Sequence, residues 1–411
     1  MRNTSRPLAL GARTGALSTA LFSMVVAACG TTDAGELGST RDSAGVVIVE
    51  SRGPRWRPEE GWRIAAAPFL RIGSAAGSPE HQFHRVEGAI RLDDGRIVVA
   101  DAGSGEIRFF DDAGGFLSSS GGLGDAPGEY RQITAMGVGP GDSLWIYDFG
   151  LRRFTVLTAD GEPVRTVSVG GTLSSVGAVG RLTDGSFVVK ESWGSHQHAE
   201  MRQGLVRDPV AVARLGWDGT GLDTIATVAG REVFLSSEDG RAVMSAPLFA
   251  RGSSAAIRGD VVFVGDQETL EVQLYRATGE LQRVFRVPNV DLRLNSADVE
   301  RLKQALLAAE REEDRAMMSA HLDEMAVPPT RPAYGTLMVD APGNLWAGEY
   351  ARYPAPPRTW TVFSATGELM GEVTVPERFK VLQIGADWII GVGRDELDVE
   401  YVMLYALYKP V

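Results

Sequence analysis

A single cysteine, Cys29, stands in 411 residues, so no disulfide can brace this chain and its stability has to come from burial, for which a 44% hydrophobic composition is ample. Histidine is nearly as scarce, with His81, His84, His196, His198 and His321 the whole supply. No run of basic residues offsets a net charge of −12, which argues against nucleic acid and against a face lying on anionic lipid. Glycine-rich phosphate loops, G-x-S-x-G elbows and H-E-x-x-H helices are missing, and no serine sits in a nucleophile motif. Gly121-Gly122-Leu123-Gly124 falls between units of a repeat and reads as a connector, not a nucleotide cradle.

The one long apolar run is N-terminal. Arg2, Arg6 and Arg13 precede Ala16 to Val26, and the stretch ends at Val26-Ala27-Ala28-Cys29-Gly30, the layout of a signal peptide over 1–28 and not of a transmembrane helix. Val-Ala-Ala-Cys resembles the lipobox of bacterial lipoproteins, which implies cleavage before Cys29, lipidation of its thiol and attachment to a membrane of the cell envelope. Several acyl chains anchor stably, since each buried CH₂ contributes about 0.8 kcal/mol. Gly30 is not the aspartate that retains such proteins in the inner membrane, which favours the outer membrane. Removing the signal takes three arginines and no acid from the −12 of the whole chain and leaves −15. Residues 29–42, rich in Gly, Thr and Ser, read as a flexible tether, and 43–411 as one large domain.

Six times along 43–411 a Gly/Asp turn is followed by β-forming runs and another polar turn. Asp94-Gly95-Arg96-Ile97-Val98-Val99-Ala100-Asp101 and Gly141-Asp142-Ser143-Leu144-Trp145-Ile146-Tyr147-Asp148 lie 47 positions apart, and the offset carries Phe83 to Tyr130, Phe109 to Val156 and Gly114 to Gly161. Further units start at Asp184-Gly185, Gly259-Asp260, Gly343-Asn344 and Ala386-Asp387. The expectation is an all-β, six-bladed β-propeller of four-stranded antiparallel blades. No residues remain after Tyr401 to Leu407 for a fourth strand in the last blade. An N-terminal strand, either 68–72 or 46–49, must close it.

Strand parity then assigns faces. The A-to-B and C-to-D turns, which hold the tight Asp/Gly sequences, lie on one side, called lower here, while B-to-C loops and blade connectors lie on the upper side. The long insertions, 192–209, 231–249 and 289–332, are all upper. The last is expected to hold a helix within about 295–326, capped by Asn295 or Ser296, with Val299, Leu302, Leu306 and Ala309 on its packed face and 310–315 as its solvated face.

Gly124-Asp125-Ala126-Pro127-Gly128-Glu129-Tyr130-Arg131, with Asp101…Ile107-Arg108 and Asp148…Arg152-Arg153, resembles the NHL-type repeat of the TolB-like six-bladed propeller superfamily. The resemblance is strong over 86–167 and traceable to Leu407. It implies ligand- or protein-binding modules, with a minority of metal-dependent lyases or lactonases.

Candidate site residues follow from the upper face. Trp193, Phe249, Tyr334, Tyr350 and Tyr353 are aromatic surfaces for a sugar ring or a peptide, and His84, Arg85, Arg131, Arg251, Lys380 and Arg394 are polar or cationic groups around the channel mouth that suit an anionic ligand. His81-x₂-His84 and His196-x-His198, with carboxylates nearby in sequence, form a candidate divalent-metal set. The acids ending strand B, Asp101, Asp148, Glu191 and Glu349, read as caps for turn amides or partners of arginines such as Arg108 and Arg153, and Trp145, Trp346 and Trp388 as core. The first reading is a membrane-anchored, non-catalytic module without a cofactor, whose upper face holds a glycan, a small molecule or an envelope protein. A metal-dependent lyase or hydrolase at the central channel and a scaffold for envelope assembly are the alternatives.

Overall fold

A computed structural model of the protein describes residues 37–57, 59–170, 175–192, 203–238, 241–351 and 355–410. Six sheets succeed one another along the chain. The first blade consists of Val86–Arg91, Ile97–Asp101, Glu106–Phe110 and Phe116–Gly121, and the second of Ile133–Val138, Leu144–Asp148, Arg153–Leu157 and Pro163–Ser168, in antiparallel register. Ile97–Asp101 is buried at every position, whereas Phe116–Gly121 is exposed at nearly all. The contrast explains the sequence pattern: an unbroken apolar run marks a strand with another blade on both faces, and a polar one marks the outer edge.

The first strand of each blade packs beside the first strand of the next, and that of the sixth blade lies against that of the first, so the ring closes. Six apolar clusters fill the six junctions, from Phe109 with Tyr130 between the first two blades to Val402 with Val99 between the last and the first. This is a six-bladed propeller.

The C-to-D turns have a second task besides reversing the chain. Gly161 has φ +89°, and a Cβ on it would stand 2.7 Å from the Phe109 ring of the preceding blade. Gly367, with φ +101°, meets Phe285 of the fourth blade in the same way. Only glycine supplies both the left-handed backbone and the close approach. Gly367→Ala is therefore expected to destabilise by about 3 kcal/mol, combining αL strain with overpacking, read as a lower denaturation midpoint.

The N-terminal segment departs from expectation by using both of its candidate strands. Leu70–Ile72 pairs antiparallel with Glu400–Tyr408 and closes the sixth blade. Val46–Ser51 instead adds to the fourth blade, parallel to Leu281–Arg286, and pairs with Gly38–Ser43 in a hairpin, so strand structure begins inside the stretch read as tether. Between them the chain crosses the fifth blade: Arg55 and Trp56 donate backbone bonds to Leu369 and Met370, and Trp56, Trp62 and Trp346 stack at 4.9 and 5.8 Å. Residues 38–72 thus form a belt over three blades.

Two insertions are also corrected. Residues 204–238 are a long hairpin of the third blade, Gly204–Leu215 against Leu222–Glu238, continued by Arg241–Ser245, so the end of 192–209 and most of 231–249 are strand and not loop. In the third insertion, helix α1 (Ser296–Ala309) starts with a capping box between Asn295 and Asp298, as the sequence suggests. It ends at Ala309, and the charged 310–315 run forms a break before a second helix, α2 (Arg315–Glu324). Val299, Leu302 and Leu306 pack with Leu248, Phe249, Leu322 and Met325. No described helix is long and apolar enough to cross a membrane.

Candidate functional site: the upper face

The acids ending the second strands fasten neighbouring backbone, connectors in the first two blades and third strands in the third and fifth. Asp148, 0% exposed, accepts from the Arg131 and Leu151 amides at 2.6 and 2.8 Å, and Asp101 accepts from the His84 amide at 3.0 Å and faces Arg108 at 3.0 Å. Glu191 accepts from Ala211 at 2.8 Å and Glu349 from Arg358 and Thr359 at 3.0 Å. Arg108 donates to the carbonyls of Pro79, Glu80 and Gln82, and Arg153 to those of Asp125, Ala126 and Glu129, so the Asp and Arg of the first two blades clamp the connector that enters each of them from two sides. Their role is structural, as the sequence suggests.

Most of the expected binding cations are engaged. Arg131 forms a bidentate pair with Asp125, and Arg251 does so with buried Glu232. Arg394 meets Glu400 at 2.6 Å, while the other oxygen of Glu400 accepts from the Val86 amide at 2.8 Å, joining the sixth blade to the first. Lys380 and Glu87, on the first strands of those blades, pair at 3.0 Å. Arg85 is exposed, carries a φ of 59° and has no carboxylate in ion-pair range among the described residues.

The aromatic candidates divide. Tyr334 is a correction: it lies in the core between the fourth and fifth blades, its hydroxyl donating to the Glu271 carbonyl at 3.2 Å, and burial drives its pKa far above the ordinary value. Phe249 is buried beneath the helical insertion with its ring 5.9 Å from half-buried Tyr350. Trp193 and Tyr353 lie outside the described residues. Trp145 and Trp346 are core, and Trp388 is half-buried beneath Arg91.

The histidines of the first pair face different ways. The His81 ring reaches the Gly114 carbonyl at 3.2 Å and packs edge-on to Phe110, whereas His84 is exposed beside Gly103. Gly114 and Gly103 lie at opposite ends of the Glu106–Phe110 strand, so the two rings do not share a site. His196 and His198 lie outside the described residues, His321 is on exposed α2 positions, and no group of three or more His, Cys, Asp or Glu gathers among the described residues.

Two features were not anticipated. A cleft of about 810 Å³ opens between the fourth blade and the start of the insertion, lined by Glu50, Glu268, Glu271, Arg286, Asp291 and Arg293 among others. Its arginines face its acids: Arg293 holds Asp291 at 2.8 and 2.9 Å, and Arg286 approaches Glu50 at 3.2 Å without the alignment of a hydrogen bond. Lys190, in the apolar strand Phe187–Glu191, is the second. Among the described residues its amine reaches only the Glu191 carbonyl and Ser253 hydroxyl, at 3.2 and 3.3 Å, and burial lowers its pKa, with Glu191 opposing. The sequence signal was a lone lysine after Phe-Val-Val. A lysine pKa depressed by folding subtracts stability where the amine is charged and ceases to do so as pH rises past 10.5, the ordinary value. Lys190→Met is therefore expected to raise stability by about 1 kcal/mol at neutral pH, with the gain shrinking as pH climbs, in denaturation followed over pH.

Backbone in the left-handed region without glycine concentrates on this face. Nine such residues are described, and seven of them, Arg85, Arg152, Phe249, Gln267, Asn289, Arg378 and Asp398, lie in upper loops and connectors. Large exposed apolar side chains also stand there, Leu123 at 63% and Leu397 at 83% exposure.

No family model matches the chain, and no curated protein matches it significantly. Solved structures do. A member of the DUF4221 family from Bacteroides vulgatus is 10% identical over 85% of this chain and 98% of its own, with a TM-score of 0.51. A gluconolactonase from Xanthomonas campestris is 14% identical over 84% and 100%, at a TM-score of 0.42, and virginiamycin B lyase from Staphylococcus aureus is 10% identical over 84% and 99%, at 0.41. At 10% identity the likeness to the DUF4221 member bears on the fold alone.

Proposed function

We propose that the protein is a propeller of NHL type, anchored to the bacterial outer membrane through lipid on Cys29, that binds a ligand or protein partner through its upper face without catalysis. The observation that carries this reading is the concentration of non-glycine left-handed backbone on that face, together with Leu123 and Leu397 held out to solvent. Each such residue costs roughly 1–2 kcal/mol, and strain of this kind clusters where a surface has to keep a set shape. Arg85 supplies a cation that no described carboxylate neutralises. At the channel mouth Glu87 is matched by Lys380, which favours binding over a metal-assisted reaction there.

Photo-crosslinking in living cells tests it. With p-benzoylphenylalanine at Leu123 or Leu397, one discrete adduct is expected, and none with the probe at Glu280 in a lower turn. No adduct from the upper positions, or the same adduct from both faces, overturns the reading. Anchoring is tested separately: Cys29→Ser is expected to abolish metabolic labelling by palmitate and to move the protein from the detergent phase to the aqueous phase.

A further inference from the structure

The lower face carries tight turns and no long loop, yet one junction there holds charge that the protein does not balance. Arg165, on the outer strand of the second blade, and Arg181, at the end of the first strand of the third, both donate to one acceptor, the Gly185 carbonyl, at 3.2 and 3.4 Å. Arg181 also donates to the Ser143 hydroxyl at 2.8 Å, and Ser143 passes its own proton to the Pro140 carbonyl at 2.8 Å. Neither guanidinium has a carboxylate within 4.0 Å among the described residues, in a protein whose other arginines are mostly matched to acids. Burial and the neighbouring Arg165 together lower the pKa of Arg181.

The acids in the vicinity are committed elsewhere. Asp184 pairs with Arg214 and accepts from Ser186, and Asp218, close enough to feel Arg165, accepts from the amide and hydroxyl of Thr220. Beside the pair stands Trp217, 58% exposed, with the Arg165 guanidinium 5.3 Å from its ring centroid. An exposed tryptophan against an unmatched guanidinium, with a second one alongside, is an arrangement that solvent alone does not reward.

The donors left over set the ligand. Arg181 spends its Nε hydrogen and one of the two on Nη1, and Arg165 spends one of the two on Nη2, which leaves most of the donors on both guanidiniums unused. These hydrogens come from two guanidiniums that meet at the Gly185 carbonyl, and an oxyanion with three or four oxygens can accept from both cations, whereas a single fork already fills a carboxylate. Tetrahedral oxygens accept from such divergent directions. We propose that the lower face between the second and third blades binds a phosphate or sulfate monoester, its oxyanion held by Arg165 and Arg181 and the ring that bears it resting on Trp217. The proposal is independent of the upper-face reading, because the two sites share no residue.

Titration calorimetry on the full chain tests it with inorganic phosphate, sulfate, phenyl phosphate, phenyl sulfate and acetate. Phosphate and sulfate are expected to bind and acetate not to, and preference between the phenyl esters identifies which oxyanion the site favours. Arg165→Gln should weaken every oxyanion about tenfold. Trp217→Ala should weaken phenyl phosphate more than inorganic phosphate, so that the extra affinity of the phenyl ester is lost. Because Arg181 is half-buried, Arg181→Gln is read only alongside a denaturation curve, and Arg165→Gln is the decisive variant. Absence of binding by all five probes, binding indifferent to Arg165→Gln, or acetate binding as tightly as phosphate overturns the proposal.

Discussion

A chain that begins at Gly73 is expected to elute from gel filtration as aggregate instead of monomer. It lacks Leu70–Ile72, so the strand Glu400–Tyr408 loses its partner along Val402 to Leu404, and Ile72, buried at the junction of the sixth and first blades, is gone. An open edge next to an apolar junction is a template for pairing with another chain. A chain beginning at Trp56 keeps the closing strand and the tryptophan stack. It is expected to remain monomeric, with a lower denaturation midpoint because the hairpin on the fourth blade is missing. A monomeric Gly73 chain with native near-ultraviolet dichroism would show that the ring closes without its N-terminal strand.

Asp148→Ala is the second large effect. The carboxylate is completely buried and is the acceptor for the amides of Arg131 and Leu151, with Gln132 at 3.3 Å. Alanine leaves these donors without a partner in a site that water does not reach, at about 1–3 kcal/mol each. A total loss of about 3–5 kcal/mol is expected in urea denaturation. Asp148→Asn should lose less, since its amide keeps one accepting oxygen while turning a donor toward donors. Asp160, exposed and paired among the described residues only with Arg96, provides the control: its alanine variant should fall within about 0.5 kcal/mol of the parent. Equal effects at Asp148 and Asp160 would remove the case for connector clamping.

The blades were legible in the sequence because each is built from local signals. Asp94-Gly95 and Asp160-Gly161 demand turns, and Ile97-Val98-Val99-Ala100 has no polar side to show to water, which is the condition of a strand between two blades. The belt was not legible in the same way. Val46-Val47-Ile48-Val49 announces a strand, but its partner, Arg283 to Arg286, lies more than two hundred residues away, and nothing local selects it over the sixth blade. Helix α2 was hidden because the charged residues 310–315 are good helix formers, so the break among them left no Gly or Pro to mark it. Tyr334 was misplaced because its position just before a strand says nothing of the core that covers it. Arg165, Arg181 and Trp217 belong to three turns and strands of two blades, each unremarkable alone, and only the ring brings them together.

The belt also decides how the molecule answers to force. A pull on the chain ahead of Leu37 arrives first at Gly38–Ser43, bonded along its length to Val46–Ser51, which is itself bonded side by side to Leu281–Arg286. Only after both strands have been stripped from the fourth blade, and Trp56 lifted from the fifth, does tension reach Leu70–Ile72. The fasteners act in series, with the ring closure last, so a propeller tugged by its leading end sheds its outer wrapping long before its circle opens.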